Sequence, residues 1–250
     1  MSLQQTEFLF TGAVLSGLIN SFAGGGAFLT LPLLIKMGLA PTVANMTASV
    51  ATGPGLALSA WGLRDKLQNP KFPWQKVLWI VSLSSLLGSV LIRISSDQFF
   101  SSLMPFLILG ATLFFIYGTW FLKRSQADGD HPLSRKTVCA LALVGVYGGY
   151  WGGGMGLMFV SVLTVAGWAN LQEMNALKVL LMAAINILGA VIFIQGGFVS
   201  WPHAAIVCLG AALGGVLGAK WIAKVSVNAM KILVAVYAVA LSLYYLFASV

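Results

Sequence analysis

The sequence predicts an all-α polytopic membrane protein made of two four-segment internal repeats, inverted relative to each other. Each repeat opens with a glycine-broken helix, re-entrant or discontinuous. Three observations lead there. The 250-residue chain is 59% hydrophobic and only 8% charged, with a mean hydropathy of +0.92, too little charge for the surface of a soluble domain. Its apolar residues gather into segments at about 7–36, 41–62, 76–94, 101–122, 137–166, 173–195, 203–221 and 228–248. The same glycine pattern occurs twice: Gly17 precedes Gly24-Gly25-Gly26, and Gly145 precedes Gly152-Gly153-Gly154 at an offset of 128.

The first segment, Glu7 to Lys36, is longer than the roughly 20 residues of a simple helical span. Three glycines near its middle argue for a break, because glycine is the costliest ordinary residue inside a helix. Backbone freed by a break has no partner in lipid, so it must be enclosed by protein or line a wet cavity. The half-helix after each triplet (Ala27-Phe28-Leu29 and Met155-Gly156-Leu157) starts with amides that lack intrahelical acceptors, at the positive end of its dipole. That end suits a small anion. The alternative is that the glycines serve only close helix packing.

The second segment, 41–62, places Asn45, Ser49, Thr52 and Ser59 within an arc of about 80°, with Thr47 facing away. This stripe suits either an oxyanion or interhelical hydrogen bonds. Pro54 should kink the helix. The third and fourth segments carry Trp74, Trp79 and Trp120 near their ends, as interfacial anchors do, and Trp168 and Trp201 follow in the second half. The polar linker Lys123–Lys136, with Asp128, Gly129, Asp130 and Pro132, joins the halves. The predicted organisation is a first membrane repeat at 7–122, a cytoplasmic linker at 123–136 and a second membrane repeat at 137–248.

The fifth segment holds the second triplet, with Trp151 beside it. In the sixth, Asn175 and Asn186 lie about 20° apart around the helix and Lys178 about 60° to one side, a narrow polar stripe. A lysine inside a membrane is expensive and normally faces a cavity or a partner. The six acids (Glu7, Asp65, Asp97, Asp128, Asp130, Glu173) all sit in loops or at segment ends, so an anionic solute is a reasonable counter-charge. The alternative is a lysine that snorkels to the interface. In the seventh segment Gly210, Gly214 and Gly218 read as a packing stripe. Further matches keep the offset between the halves: Gly38 to Gly167 at 129, and Trp74 to Trp201, Gly88 to Gly215 and Arg93 to Lys220 at 127.

Basic residues test the topology. If all eight segments cross, the loops divide eight to five. If the two broken segments are hairpins that return to their own side, Lys36 and Arg93 face the other eleven loop cations. The second arrangement satisfies the positive-inside rule better, and it inverts the repeats. The parallel eight-span arrangement stays open.

Several classes are disfavoured. Cys139 and Cys208 lie in apolar segments and read as small buried hydrophobes. Two histidines, His131 and His203, with no carboxylate cluster give no metal site, and no cofactor is expected. The net charge of +8 sits mostly in loops and says little about nucleic acid. The opening residues have no basic n-region, so a cleaved signal peptide is not expected. An intramembrane enzyme would need a deep nucleophile with a base, and Ser49 and Ser59 have none.

The chain resembles the sulfite exporter TauE/SafE family of probable membrane transporters over nearly its whole length. The likeness rests on Ala23-Gly-Gly-Gly26 and Gly152-Gly-Gly-Gly-Met-Gly156, on Leu31-Pro32, on Asn175-Ala-Leu-Lys178 and on Leu213-Gly-Gly-Val-Leu-Gly-Ala-Lys220. It implies a multi-pass bacterial inner-membrane protein that moves small sulfur-containing or organic anions such as sulfite, thiosulfate or sulfonates, often outward. The family's first repeat commonly reads Thr-Asn-Lys where this chain has Thr47-Ala48-Ser49, so a site lysine is missing here. The expected function is secondary transport of such an anion by alternating access at a midplane site. A passive anion channel, or a transporter of another small solute, is the alternative. The expected binding residues are Gly24, Gly25, Gly26, Asn45, Ser49, Thr52, Gly152, Gly153, Gly154, Asn175, Lys178 and Asn186. The expected partners are the anion and the lipid bilayer, with a homo-oligomer left open.

Overall fold

The computed structural model describes residues 1–23, 25–67, 73–116, 133–168 and 170–221, with 236, 239–240, 242–243 and 247. Among these residues all regular structure is helical: α1 (Leu3–Ala23), α2 (Ala27–Lys36), α3 (Pro41–Gly62), α4 (Trp74–Ile94), α5 (Asp97–Ile116), α6 (Arg135–Tyr150), α7 (Met155–Val165), α8 (Leu171–Gln195) and α9 (Trp201–Trp221), with a short 3-10 turn at Arg64–Leu67. Most of segment 228–248 and of the linker lies outside the described residues. Ser242, helical, donates to the Pro105 carbonyl of α5.

Among the described residues four helices, α4, α5, α8 and α9, are long and apolar enough to cross a membrane. The exterior suits hydrocarbon. Trp79, Leu83 and Leu87, one stripe along α4, are 68%, 63% and 56% exposed, a contiguous apolar face that water would penalise. The chain is therefore a membrane protein, helical throughout its described regular structure.

The first and fifth apolar segments are each two helices, interrupted at the glycine triplets. α2 folds back along α1. A Cβ at Gly12 would lie 2.3 Å from the Leu33 side chain, and Ser16 Oγ lies 2.6 Å from Thr30 Oγ1. A helix continuing straight would put Gly12 and Leu33 about 30 Å apart.

Close glycine contacts fix the directions of neighbouring helices. Along α1 and α9, Gly210 meets Phe10 and Ala13 while Gly214 meets Val14 and Leu18, so the two run parallel. Along α4 and α6, Gly145 meets Val81 and Ser84 while Gly149 meets Ser85 and Ser89, again parallel. α3 and α8 run antiparallel: Thr47 meets Ser200 beyond the end of α8, and Gly53 faces Asn186. One end of the bundle then carries Lys36 over the Phe8 ring and Arg93 over the Phe198 ring. Arg64, Lys66, Lys76, Arg135 and Lys136 lie at the opposite helix ends.

The α2 and α7 termini match in detail. Gly38 and Gly167 both have φ +91°, and Leu39 and Trp168 each donate five residues back, to Leu34 and Leu163. This is the αL glycine stop of a Schellman motif, written twice. The start of α3 is capped from another helix. Ala40 offers no side-chain acceptor, and the Asp97 carboxylate instead accepts from the Thr42 amide at 3.0 Å and its hydroxyl at 2.7 Å. Asp97→Ala is expected to lower stability by about 1 kcal/mol, as loss of a cap does, and a thermal melt in detergent reads the change.

Two expectations need correction. Trp168 is buried at 8% exposure among Leu163, Met174 and Leu177, because the turn after α7 tucks it inward; it is no surface anchor. Cys139 is exposed on the outer face of α6, and Cys208 is half-buried. Both are free thiols; Cys139 lies outside the core, while Cys208 packs against its edge. Thr47, on the side of α3 opposite the polar stripe, is fully buried, because α3 is central there and both its faces are covered.

Candidate functional site

The two helix breaks meet. The Phe28 ring, in the first turn of α2, lies 5.4 Å from the Trp151 ring at the end of α6. A Cβ at Gly154 would sit 3.0 Å from Phe28 and 3.3 Å from Ala111 of α5. Each break is held by named groups. In the first, Ser16 Oγ donates to the Gly26 carbonyl at 2.8 Å, and Thr30 Oγ1 reaches the same oxygen at 3.2 Å. In the second, the Tyr147 hydroxyl donates to the Gly153 carbonyl. Asn45 Nδ2 donates to the Tyr150 carbonyl at 3.0 Å, and Ser89 Oγ approaches the Gly149 carbonyl at 3.4 Å. Interrupted backbone inside a bilayer needs such partners.

The triplets are not conformational copies. Gly152 and Gly154 have φ +79° and +76°, left-handed values that side chains resist. Gly26 is right-handed at φ −56°; it is required because a Cβ there would lie 2.7 Å from the Ser16 carbonyl. In α7 the first bonds run from Met155 to Gly152 and from Leu157 and Met158 to Gly154. The amides of Gly153, Gly154 and Gly156 stand outside that pattern, as at any helix start.

The other expected residues are dispersed. Gly24 lies outside the described residues, and Gly25 is buried. Thr52, half-buried, bonds back to Ala48 at 3.0 Å. Ser49 is half-buried one turn from Asn45. Asn186 is buried against Gly53 and bonds back to Met182 at 2.8 Å. Lys178 is 8% exposed, and among the described residues its ammonium has no hydrogen bond or ion pair. It is not among the groups nearest Gly152, Gly153 or Gly154, which are Met155, Trp151, Phe28, Ala111 and the Gly148 carbonyl. Asn175 is exposed. It shares the angular position of Asn186 but lies in the second turn of α8, where the bundle no longer covers that face.

Ser16, Thr30 and Tyr147 hold the breaks and were not singled out from sequence. Their signal, a hydroxyl inside an apolar run, is too common in membrane helices to stand out. Near the Lys36 and Arg93 end, Ser200 donates its amide to Thr47 Oγ1 at 3.1 Å and pairs with His203 Nδ1 at 2.7 Å.

A helical bundle with apolar walls and two enclosed helix breaks defines an integral membrane protein. The sequence places it more narrowly. The model of the sulfite exporter TauE/SafE family matches residues 9–245, and the chain belongs to that family. A probable membrane transporter protein of Haemophilus influenzae is 30% identical over 86% of this chain and 84% of its own length. The probable membrane transporter protein YfcA of Escherichia coli K12 is 29% identical over 85% and 78%, and the probable membrane transporter protein ORF9 of a Sinorhizobium species 28% over 94% and 90%. No solved structure gives a significant match.

Proposed function

We propose that this membrane transporter of the TauE/SafE type is a secondary transporter, working outward, of a small sulfur-containing or organic anion such as sulfite, thiosulfate or a sulfonate. Substrate binds where the two helix breaks meet, and two inverted repeats, 7–122 and 137–248, alternate access to it in a bacterial inner membrane. The observation that carries this reading is the junction of the breaks at Phe28, Trp151 and Gly154. Paired broken helices at corresponding positions are where transporters of this kind hold their solute. The inverted arrangement is supported by the folded-back α1–α2 pair, the antiparallel α3 and α8, and the matching stops at Gly38 and Gly167. It is also supported by contact pairs that recur across the halves: Gly17 against Ala211, and Gly145 against Ser84, each 127 or 128 residues from its counterpart. Lys178, buried with no acidic neighbour among the described residues, supplies positive charge within the bundle.

The test is a melt of the purified protein against sulfite, thiosulfate, sulfate, taurine, sulfoacetate, acetate and chloride, followed by flux in proteoliposomes. A ligand that binds only the folded state raises the midpoint with concentration. One sulfur oxyanion should do so saturably and should also show saturable flux. A flat response across the panel would sink the anion reading, and linear, non-saturating flux would point to a channel.

A further inference from the structure

Trp151 follows α6 at the second break. Its side chain is 2% exposed, and its indole Nε1–H, fully enclosed, has no hydrogen-bond partner among the described residues. Buried donors are nearly always paired, so an orphan of this kind calls for an acceptor that arrives from elsewhere. The indole is gripped on several sides. Phe28 lies 5.4 Å away and Tyr147 stands edge-on at 5.8 Å. The six-membered edge lies against Gly153, where a Cβ would come within 2.6 Å of Cη2 and 2.7 Å of Cζ2. Cζ2 is two bonds from Nε1, so the orphan donor sits beside the Gly152–Gly154 turn. The Gly153, Gly154 and Gly156 amides that stand outside the α7 bonding pattern belong to the same few residues.

We infer that the Trp151 indole N–H, with the first amides of α7, binds the oxyanion of the transported solute. This rests on the proposed anion-transport function. Indole nitrogen and backbone amides only donate, so they gain nothing from an ammonium group but suit a ligand that presents several acceptor oxygens, as a sulfur oxyanion does. Donation to an ionised oxygen is about twice as strong as to a neutral one. The glycine at 153 follows from the same arrangement, since any side chain there would strike the indole. The Tyr147 hydroxyl, already committed to the Gly153 carbonyl, holds the turn in place.

The experiment places β-(3-benzothienyl)alanine at position 151, an isostere with sulfur where indole has N–H, alongside Trp151→Phe. Binding of sulfite, thiosulfate and sulfate is followed by calorimetry, and the unliganded melt is recorded for each protein. The isostere should melt like the wild type and bind the responding anion roughly tenfold more weakly or worse, as loss of a hydrogen bond to a charged group does. In wild type labelled with 15N, the indole resonance absent from Trp151→Phe should move downfield as that anion is added. Wild-type affinity in the isostere, or an unmoved resonance, would overturn the role of Trp151 and leave the transport reading standing. No anion binding by the wild type would overturn both.

Discussion

Lys178→Met is expected to raise the melting midpoint of the unliganded protein while erasing its response to anions. The two halves of this result have opposite signs and one cause. Lys178 is 8% exposed in the interior of the bundle, and among the described residues nothing neutralises it. Exchanging a buried ionic group for an apolar side chain of similar volume is often neutral or stabilising, by about 1–4 kcal/mol. Methionine keeps the length of the lysine stem and fills the same space, so packing is preserved. Removing the charge from a bound anion's partner costs affinity instead, on the order of 2–5 kcal/mol, or about 30-fold to several thousandfold. Thermal melts with and without the responding sulfur oxyanion measure both quantities on one sample. A variant that melts higher and still binds would show that Lys178 is not a ligand. A variant that melts lower would show that the ammonium has a stabilising partner within the protein.

Much of the fold is legible in the sequence, because glycine and hydropathy act locally. The breaks at the two triplets, the bounds of α3 at Pro41 and Gly62 and the ends of α4 and α8 follow from residues at those positions. The repeated glycine at Gly38 and Gly167 shows in the sequence, and the two share one backbone conformation. What a single helix wheel cannot supply is depth and neighbourhood. Asn175 and Asn186 share a face, yet one is exposed and the other buried, since coverage changes along α8. Thr47 lies opposite Asn45 on α3, yet both are buried, since both faces of that helix are covered at this level. Asn45, expected as a solute ligand, has its amide committed to the Tyr150 carbonyl, a contact between residues 105 apart. The orphaned indole nitrogen of Trp151 has no sequence signal at all, because a lack of partners is a property of the packed state.

Gly214→Leu and Gly88→Leu are expected to be the most damaging single changes away from the site, and to be damaging alike. A Cβ at Gly214 would lie 1.9 Å from the Val14 carbonyl oxygen, and one at Gly88 would lie 2.0 Å from the Val146 carbonyl oxygen. The obstacle in each case is backbone, which cannot rotate aside as a side chain does. Small residues let membrane helices approach this closely, and dispersion between the backbones is then a main source of their attraction. A leucine forces the pair apart and forfeits that contact along the seam, at or beyond the 1–3 kcal/mol typical of overpacking. Gly110→Leu is the control, since nothing lies within 4 Å of a Cβ there and the residue is exposed. It should melt close to the wild type, whereas the other two should melt well below it or fail to accumulate as folded protein. The parity has a structural reason. Gly214 presses α9 onto α1 and Gly88 presses α4 onto α6, so each glycine locks the first helix of a broken pair to a helix from the opposite half of the chain. A Gly214→Leu protein as stable as Gly110→Leu would show that α1 and α9 do not touch as placed. A large effect at one seam and none at the other would break the equivalence of the two halves on which the inverted-repeat reading depends.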